Sequence, residues 1–212
     1  MCAHYEAVSK PERLHETFKV AMPRGAVADV WPGYAGIFIR HPRDEQQGDG
    51  LAPWREAMAG SFGLIPHWAK DASLAKKTYN ARSETVTTKP SYRDAWRLGR
   101  RCIIPAEAFY EPDWRSGRAV PTRISRADGQ PMGIAGIWTG WKAPDGGIVR
   151  SMSMLTVNAD QHPLMKNFHR PEDEKRMVVI LDEEDFDAWL DPGLRMPDQM
   201  LRCMDAGMLV AG

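Results

Sequence analysis

Apolar residues along this chain fall in short runs separated by turn-forming residues, the pattern of many short strands and few helices. Strands are predicted at residues 37–39, 62–65, 102–105, 108–110, 122–125, 132–138, 151–157 and 177–181, with Pro66 closing the second. The APDGG stretch at 143–147 predicts a hairpin turn between two of them. Within residues 6–27, PERLHETFKV carries Leu14 and Phe18 four apart, the spacing of one helix face. Residues 90–98 read as a second helix, with Pro90 near its first turn and Tyr92, Ala95 and Trp96 on one side. Asp182 is placed to cap a helix running through Leu190, and a weaker helical segment extends from residue 198 to about 204. HPRDEQQGDGLAP, residues 41–53, is a polar loop by composition. With no internal repeat, the pattern predicts a single α+β domain over 1–212, built on a mostly antiparallel, barrel-like sheet with flanking helices. Its motifs occupy 2–181, and a helical segment is expected over 182–212.

Composition narrows the class. A hydrophobic content of 43% with 26% charged residues is that of a soluble globular protein. No apolar run approaches the roughly 20 residues that span a bilayer. MCAHYEAVSK has neither a basic start nor an apolar stretch, so a cytoplasmic location without membrane attachment is expected. Lys plus Arg equals 28 and Asp plus Glu equals 28, which argues against a general nucleic-acid coat protein. Any nucleic-acid site must be a local groove. Three cysteines without a CxxC pair argue against a disulfide framework and a structural zinc site. Scattered histidines and the lack of a Gly-rich phosphate loop leave no metal or other cofactor to expect. Cys102, in RRCIIPA, reads as a buried small hydrophobe, whereas Cys203 has no evident partner.

The chemistry that remains begins at Cys2. Cells generally remove an initiator methionine that precedes a small side chain, so Cys2 is expected to become the mature N-terminus. Its α-amino group, with a reference pKa of about 8, would then lie beside a thiol at about 8.5. Such a 1,2-aminothiol condenses with an aldehyde to an imine, which the thiol closes to a thiazolidine. Asn80 and Arg82 follow a strand-like run and share a face if that segment is extended. Glu111 ends AFYEP after two aromatics, where burial would raise its pKa into the range useful for proton transfer. His169, in NFHRP before MVVIL, is expected to titrate near neutrality. Taken singly, these residues also suit a turn, a solvated face, a strand end and a satisfied core histidine.

Together they resemble one family. Cys2, FGLIPHWAKD from Phe62, NARSET from Asn80, RRCIIPAEAFYE from Arg100 and FHRPEDEKRMVVIL from Phe168 are similar, in order and spacing, to the SOS-response-associated peptidase (SRAP) family. The resemblance runs from Cys2 to about Leu181. It implies an α+β domain with a barrel-like sheet and a basic DNA groove. It further implies binding of single-stranded DNA and covalent attachment to abasic sites, whose open sugar is an aldehyde. By position Cys2 matches the family nucleophile, Asn80 and Arg82 its NAR residues, Glu111 its FYE glutamate, and His169 the histidine before its last motif strand. Asn80 would hold the N-terminus and Arg82 would grip a flanking phosphate.

Trp68 matches the GLIPxW tryptophan that wedges beside the lesion, and Pro32 stands roughly where the family has a loop proline. Lys89, Arg93, Arg97, Arg100 and Arg101 form a basic cluster able to line a phosphate groove, although a solvated helix face would look the same. The expected partner is single-stranded DNA containing abasic sites, and a monomer suffices for one lesion per molecule. Ala3, Pro112, Phe62 and Val178 depart from the family's glycine, two tryptophans and proline, and DVWP replaces its asparagine-containing segment. Two other readings stay open: a cysteine-dependent (auto)peptidase with an N-terminal nucleophile, and a non-covalent single-strand-binding module.

Overall fold

Strands that are apolar at nearly every position need cover on both faces, which a closed barrel wrapped by helices and loops supplies. The computed structural model describes residues 2–42, 54–194 and 197–212. In chain order the elements are β1 (Tyr5–Ala7), α1 (Pro11–Phe18), β2 (Asp29–Val30), β3 (Ala35–Arg40), β4 (Glu56–Phe62), β5 (Asn80–Arg82), α2 (Arg93–Arg97), β6 (Arg101–Asp113), β7 (Val120–Arg126), β8 (Met132–Lys142), β9 (Ile148–Asn158), β10 (Arg176–Val178), β11 (Ile180–Leu181), α3 (Phe186–Leu190) and β12 (Leu209–Ala211). Short 3-10 turns join several of them, among them Ala72–Lys77 and Met165–Asn167.

Five strands close on themselves in the order β3-β4-β9-β8-β6, and β6 returns to β3 through Ile39 and Ile103. The β4–β9 contact is parallel, and the other contacts in the ring are antiparallel. Successive residues of the wall enter different apolar clusters, as the strand period requires. Phe38, Phe62, Ile104, Trp138, Met152 and Met154 pack inside. Ile37, Ile39, Ile103, Ile137 and Leu155 pack outside against Leu14, Phe18, Phe186 and Trp189. Cys102 is buried among the inside set, as its apolar run predicts. The remaining strands add to the ring: β5 lies parallel to β9, and β1 lies antiparallel to β6.

The single α+β domain on a mostly antiparallel barrel agrees with the sequence reading, while several elements differ. The runs at 102–105 and 108–110 are one continuous strand, β6, in which Pro105 pairs with Gly133. The strand predicted at 62–65 instead ends at Phe62, because Gly63 turns the chain with φ 119°. Helix 90–98 contracts to α2, and Asp182 makes no capping bond; its carboxylate accepts from Arg202 at 2.6 Å. The helical segment expected over 182–212 contains α3 but finishes as β12 on β7, and the helix at 198–204 is a 3-10 turn, Pro197–Met200. The predicted hairpin at 143–147 is present, closed by Ala143 N–H donating to Gly147 O at 2.8 Å. Residues 43–53 of the predicted loop lie outside the described residues. No helix among the described residues is long and apolar enough to cross a membrane.

Candidate active site

The N-terminal segment is zipped onto β6. Tyr5 pairs with Phe109, and Tyr110 N–H donates to His4 O at 3.0 Å, so the chain enters the barrel mouth beside Glu111. Cys2 is fully buried there, its thiol 3.4 Å from the His4 carbonyl. Burial pushes the Cys2 thiol well up, and the Glu111 carboxylate adds to the effect. Asn80 reaches the same place from β5, held against β9 opposite Met154. Its side-chain amide donates to Cys2 O at 2.7 Å. Its own carbonyl accepts from Tyr92 Oη at 2.9 Å, which ties β5 to the segment before α2.

Glu111 and His169 form the other half. Glu111 is 2% exposed, and its Oε2 lies 3.3 Å from His169 Nε2. His169 adopts the left-handed region at φ 62°, unusual for a residue with a Cβ. Its N–H donates to Pro112 O at 2.8 Å, and Phe168 bridges to Asp113, so the end of β6 fixes that conformation. Desolvation raises Glu111 to about 7 and lowers His169 to about 4. This corrects the expectation that His169 titrates near neutrality. The buried imidazole is neutral at pH 7, and the carboxyl is the group poised there. A protonated Glu111 can donate to neutral His169, and an ionised one can take a proton from a neighbour.

The four predicted catalytic positions therefore converge: Asn80 bonds Cys2, Glu111 acts on Cys2 through its charge, and Glu111 meets His169. Arg82 follows Asn80 by two and is half-exposed, with Nη1 donating to Glu174 at 2.7 Å. Trp68 is 49% exposed, outside the core, with its indole N–H donating to Pro90 O at 3.4 Å. Pro32 forms the turn from Trp31 to Tyr34 with Gly33 at φ 93°. Lys89 and Arg93 are exposed, and Arg93 and Arg97 stand 4.0 and 3.8 Å from the Asp94 carboxylate. A cleft of about 280 Å³ lined by His67, Pro90, Asp94, Arg97 and Arg100 lies at this end. Arg101 does not belong to a phosphate groove. Its guanidinium is buried against α3, donating to the Trp189 and Asp191 carbonyls.

Sequence reasoning missed several neighbours of the site. The Tyr79 hydroxyl is pushed up by burial and by the charges of Cys2 and Glu111. His4 is sandwiched between Trp31 and Tyr110. Only the adjacency of Tyr79 to Asn80 and of Tyr110 to Glu111 signalled them in the sequence. Among the described residues no group of three or more His, Cys, Asp or Glu side chains is arranged to hold a metal ion.

The barrel mouth thus gathers Cys2, the Asn80–Arg82 strand and Glu111. Residues 1–208 match the family described as SOS response associated peptidase (SRAP), and the chain belongs to it. It is 36% identical over 142 residues to abasic site processing protein YoqW of Bacillus subtilis, covering 66% of this chain and 59% of that protein. It is 31% identical over 172 residues to abasic site processing protein HMCES of Gallus gallus, covering 70% and 49%. The chain thus spans about half to three-fifths of these relatives. A crystal structure of a protein from Bordetella bronchiseptica is similar at TM-score 0.88 and 43% identity, covering 99% of this chain and 98% of that one. One from Bacteroides thetaiotaomicron shares the fold at TM-score 0.76 and 22% identity, covering 99% and 90%.

Proposed function

We propose that this protein processes abasic sites by capturing them in single-stranded DNA, through a thiazolidine formed on Cys2 after removal of Met1. The observation that carries this reading is the buried Glu111, held near neutrality beside both Cys2 and His169. The freed amine attacks the C1′ aldehyde of the open abasic sugar, and the carbinolamine loses water to give an imine. That sequence needs a group that first takes a proton and then returns one, and a carboxyl with a pKa of about 7 does both. The Cys2 sulfur then adds to the imine carbon while the thiol proton passes to the nitrogen, closing the ring with one water lost overall. His169, neutral and in contact with Glu111, assists ring opening by moving the C1′ hydroxyl proton toward the ring oxygen. Asn80 fixes the Cys2 carbonyl so that amine and thiol stay on the aldehyde, and Arg82 exchanges Glu174 for a flanking phosphate.

The peptidase reading is less well supported. A cysteine hydrolase works through a thiolate whose pKa is lowered by its surroundings. Burial and the Glu111 charge push Cys2 the other way. An amine-first mechanism tolerates this, because the thiol acts only in the intramolecular closure.

The test is a denaturing gel after incubation of protein lacking Met1, verified by mass spectrometry, with a single strand carrying one abasic site. A shifted band that requires the abasic site and is lost in Cys2→Ala is expected. A stable band of full intensity from Cys2→Ala would eliminate the thiazolidine, and binding of intact and abasic strands alike with no band would favour passive binding.

A further inference from the structure

Beside the reaction centre lies a column of three rings that the capture chemistry does not use. The His4 imidazole stacks on Trp31 with centroids 4.1 Å apart and planes within 9°, and on Tyr110 at 4.2 Å and 13°. Carboxylates hold the column at its edges. Asp29 accepts from Trp31 Nε1 at 3.1 Å and pairs with His4, while Glu6 accepts from Tyr110 Oη and from Arg123 at 2.9 Å. Trp31 nonetheless stays 44% exposed, although His4 covers one face of its indole. The Pro32–Gly33 turn keeps it at the surface. With Ala3, His4, Tyr110, Glu111 and Pro112, it lines a largely apolar cavity of about 230 Å³. Glu111 lines this cavity and acts on Cys2 through its charge, so the cavity adjoins the site at Cys2.

An abasic site leaves each neighbouring base with one face unstacked. We propose that the Trp31–His4–Tyr110 column is a stacking platform for the nucleobase next to the abasic position, with the exposed face of Trp31 taking the place of the missing base. A π-face accepts any base, so the platform is tolerant of sequence but requires that a base be present. The rings are already ordered by Asp29 and Glu6, so little side-chain freedom is lost on binding. This inference rests on the capture reading for the nature of its ligand.

The experiment measures equilibrium binding by fluorescence anisotropy to a dye-labelled strand containing one tetrahydrofuran residue, an abasic analogue without an aldehyde. Two companion strands carry a second tetrahydrofuran on the 5′ or the 3′ side. Wild-type protein is expected to bind the single-gap strand about tenfold more tightly than one of the companions, the size of one base–aromatic stack. Trp31→Ala should erase that preference, Trp31→Leu should do the same, and Trp31→Phe should keep most of it. Equal affinity of the wild type for all three strands, or an equal loss on all three in Trp31→Ala, overturns the platform. Since these strands cannot crosslink, the two ideas fail separately. A neighbour-dependent Trp31 effect without a covalent band on a true abasic strand overturns capture alone, and a band without that effect overturns the platform alone.

Discussion

Glu111 and His169 meet at 3.3 Å with their proton affinities displaced in opposite directions, to about 7 and about 4. The assignment of Glu111 as the proton shuttle follows from that displacement. Glu111→Gln keeps the shape but not the proton exchange, and is expected to slow capture by about 10²- to 10⁴-fold. It should also remove the inflection near pH 7 from the rate profile, and an inflection that survives in Glu111→Gln would reassign the shuttle. Asn80→Ala leaves the Cys2 carbonyl without its buried donor, at a cost of about 1–3 kcal/mol. Thermal unfolding reads the cost, and slower capture at unchanged pH dependence would mark Asn80 as a positioning residue. Burial of Glu111 is legible in AFYEP, because a carboxyl behind two aromatics at the end of an apolar run is desolvated. The neutral His169 is not legible, because its burial depends on a backbone turned to φ 62° by the far end of β6.

At the scale of elements, the turn after β4 decides where the GLIPxW segment goes. Gly63 sits at φ 119°, and a Cβ there would lie 2.0 Å from the Ala75 carbonyl oxygen. Gly63→Ala combines backbone strain with an overlap against main chain, and is expected to destabilise by more than about 3 kcal/mol. Denaturant unfolding tests this, and a loss below about 1 kcal/mol, the usual range for a tolerated point change, would mean the turn relaxes freely. Period and propensity located β3 and β6 to β9 but misplaced β4, since the predicted strand at 62–65 shares only Phe62 with the observed Glu56–Phe62. They failed for β1 and β12, three residues each, because so few positions display no alternation and their pairing partners lie on β6 and β7. They also split β6 at Pro105, which lacks a ladder donor and is nevertheless carried within the 13-residue strand.

Across the whole molecule, two linkage effects oppose one another. Glu111 binds its proton more tightly when folded, so its contribution to stability is present below about 4.5 and lost as pH rises to about 7. His169 binds its proton less tightly when folded, so its contribution is lost as pH falls from about 6.5 to about 4. The two nearly cancel between about 4.5 and 6.5. Unfolding temperature should rise with pH across that window in Glu111→Gln and fall in His169→Ala, relative to the wild type. Profiles parallel to the wild type in both variants would refute the assignment. With a net charge of zero, strand affinity depends on a few local cations. Each phosphate neutralised on a single strand contributes about −0.7 to the slope of log K against log salt, so Arg82→Ala should make the slope shallower by about that amount. An unchanged slope would leave Arg82 with Glu174 and out of the DNA contact.

The sequence by itself determined a strand-rich α+β domain, since apolar periodicity is a local property, and it singled out the four positions of the proposed chemistry only through the resemblance of several ordered motifs, because each of those residues alone also suits a structural role. Tertiary structure alone decided how those positions act on one another. Closure of β3 through β6 and the zipping of β1 onto β6 bring Cys2, Asn80, Glu111 and His169 into one desolvated mouth. Proton affinity there follows burial and neighbouring charge, which no local pattern encodes. The same holds for Arg101, read as a groove cation and found beneath α3, and for Trp31, an unremarked aromatic in the sequence that folding stacks on His4 at the edge of the site.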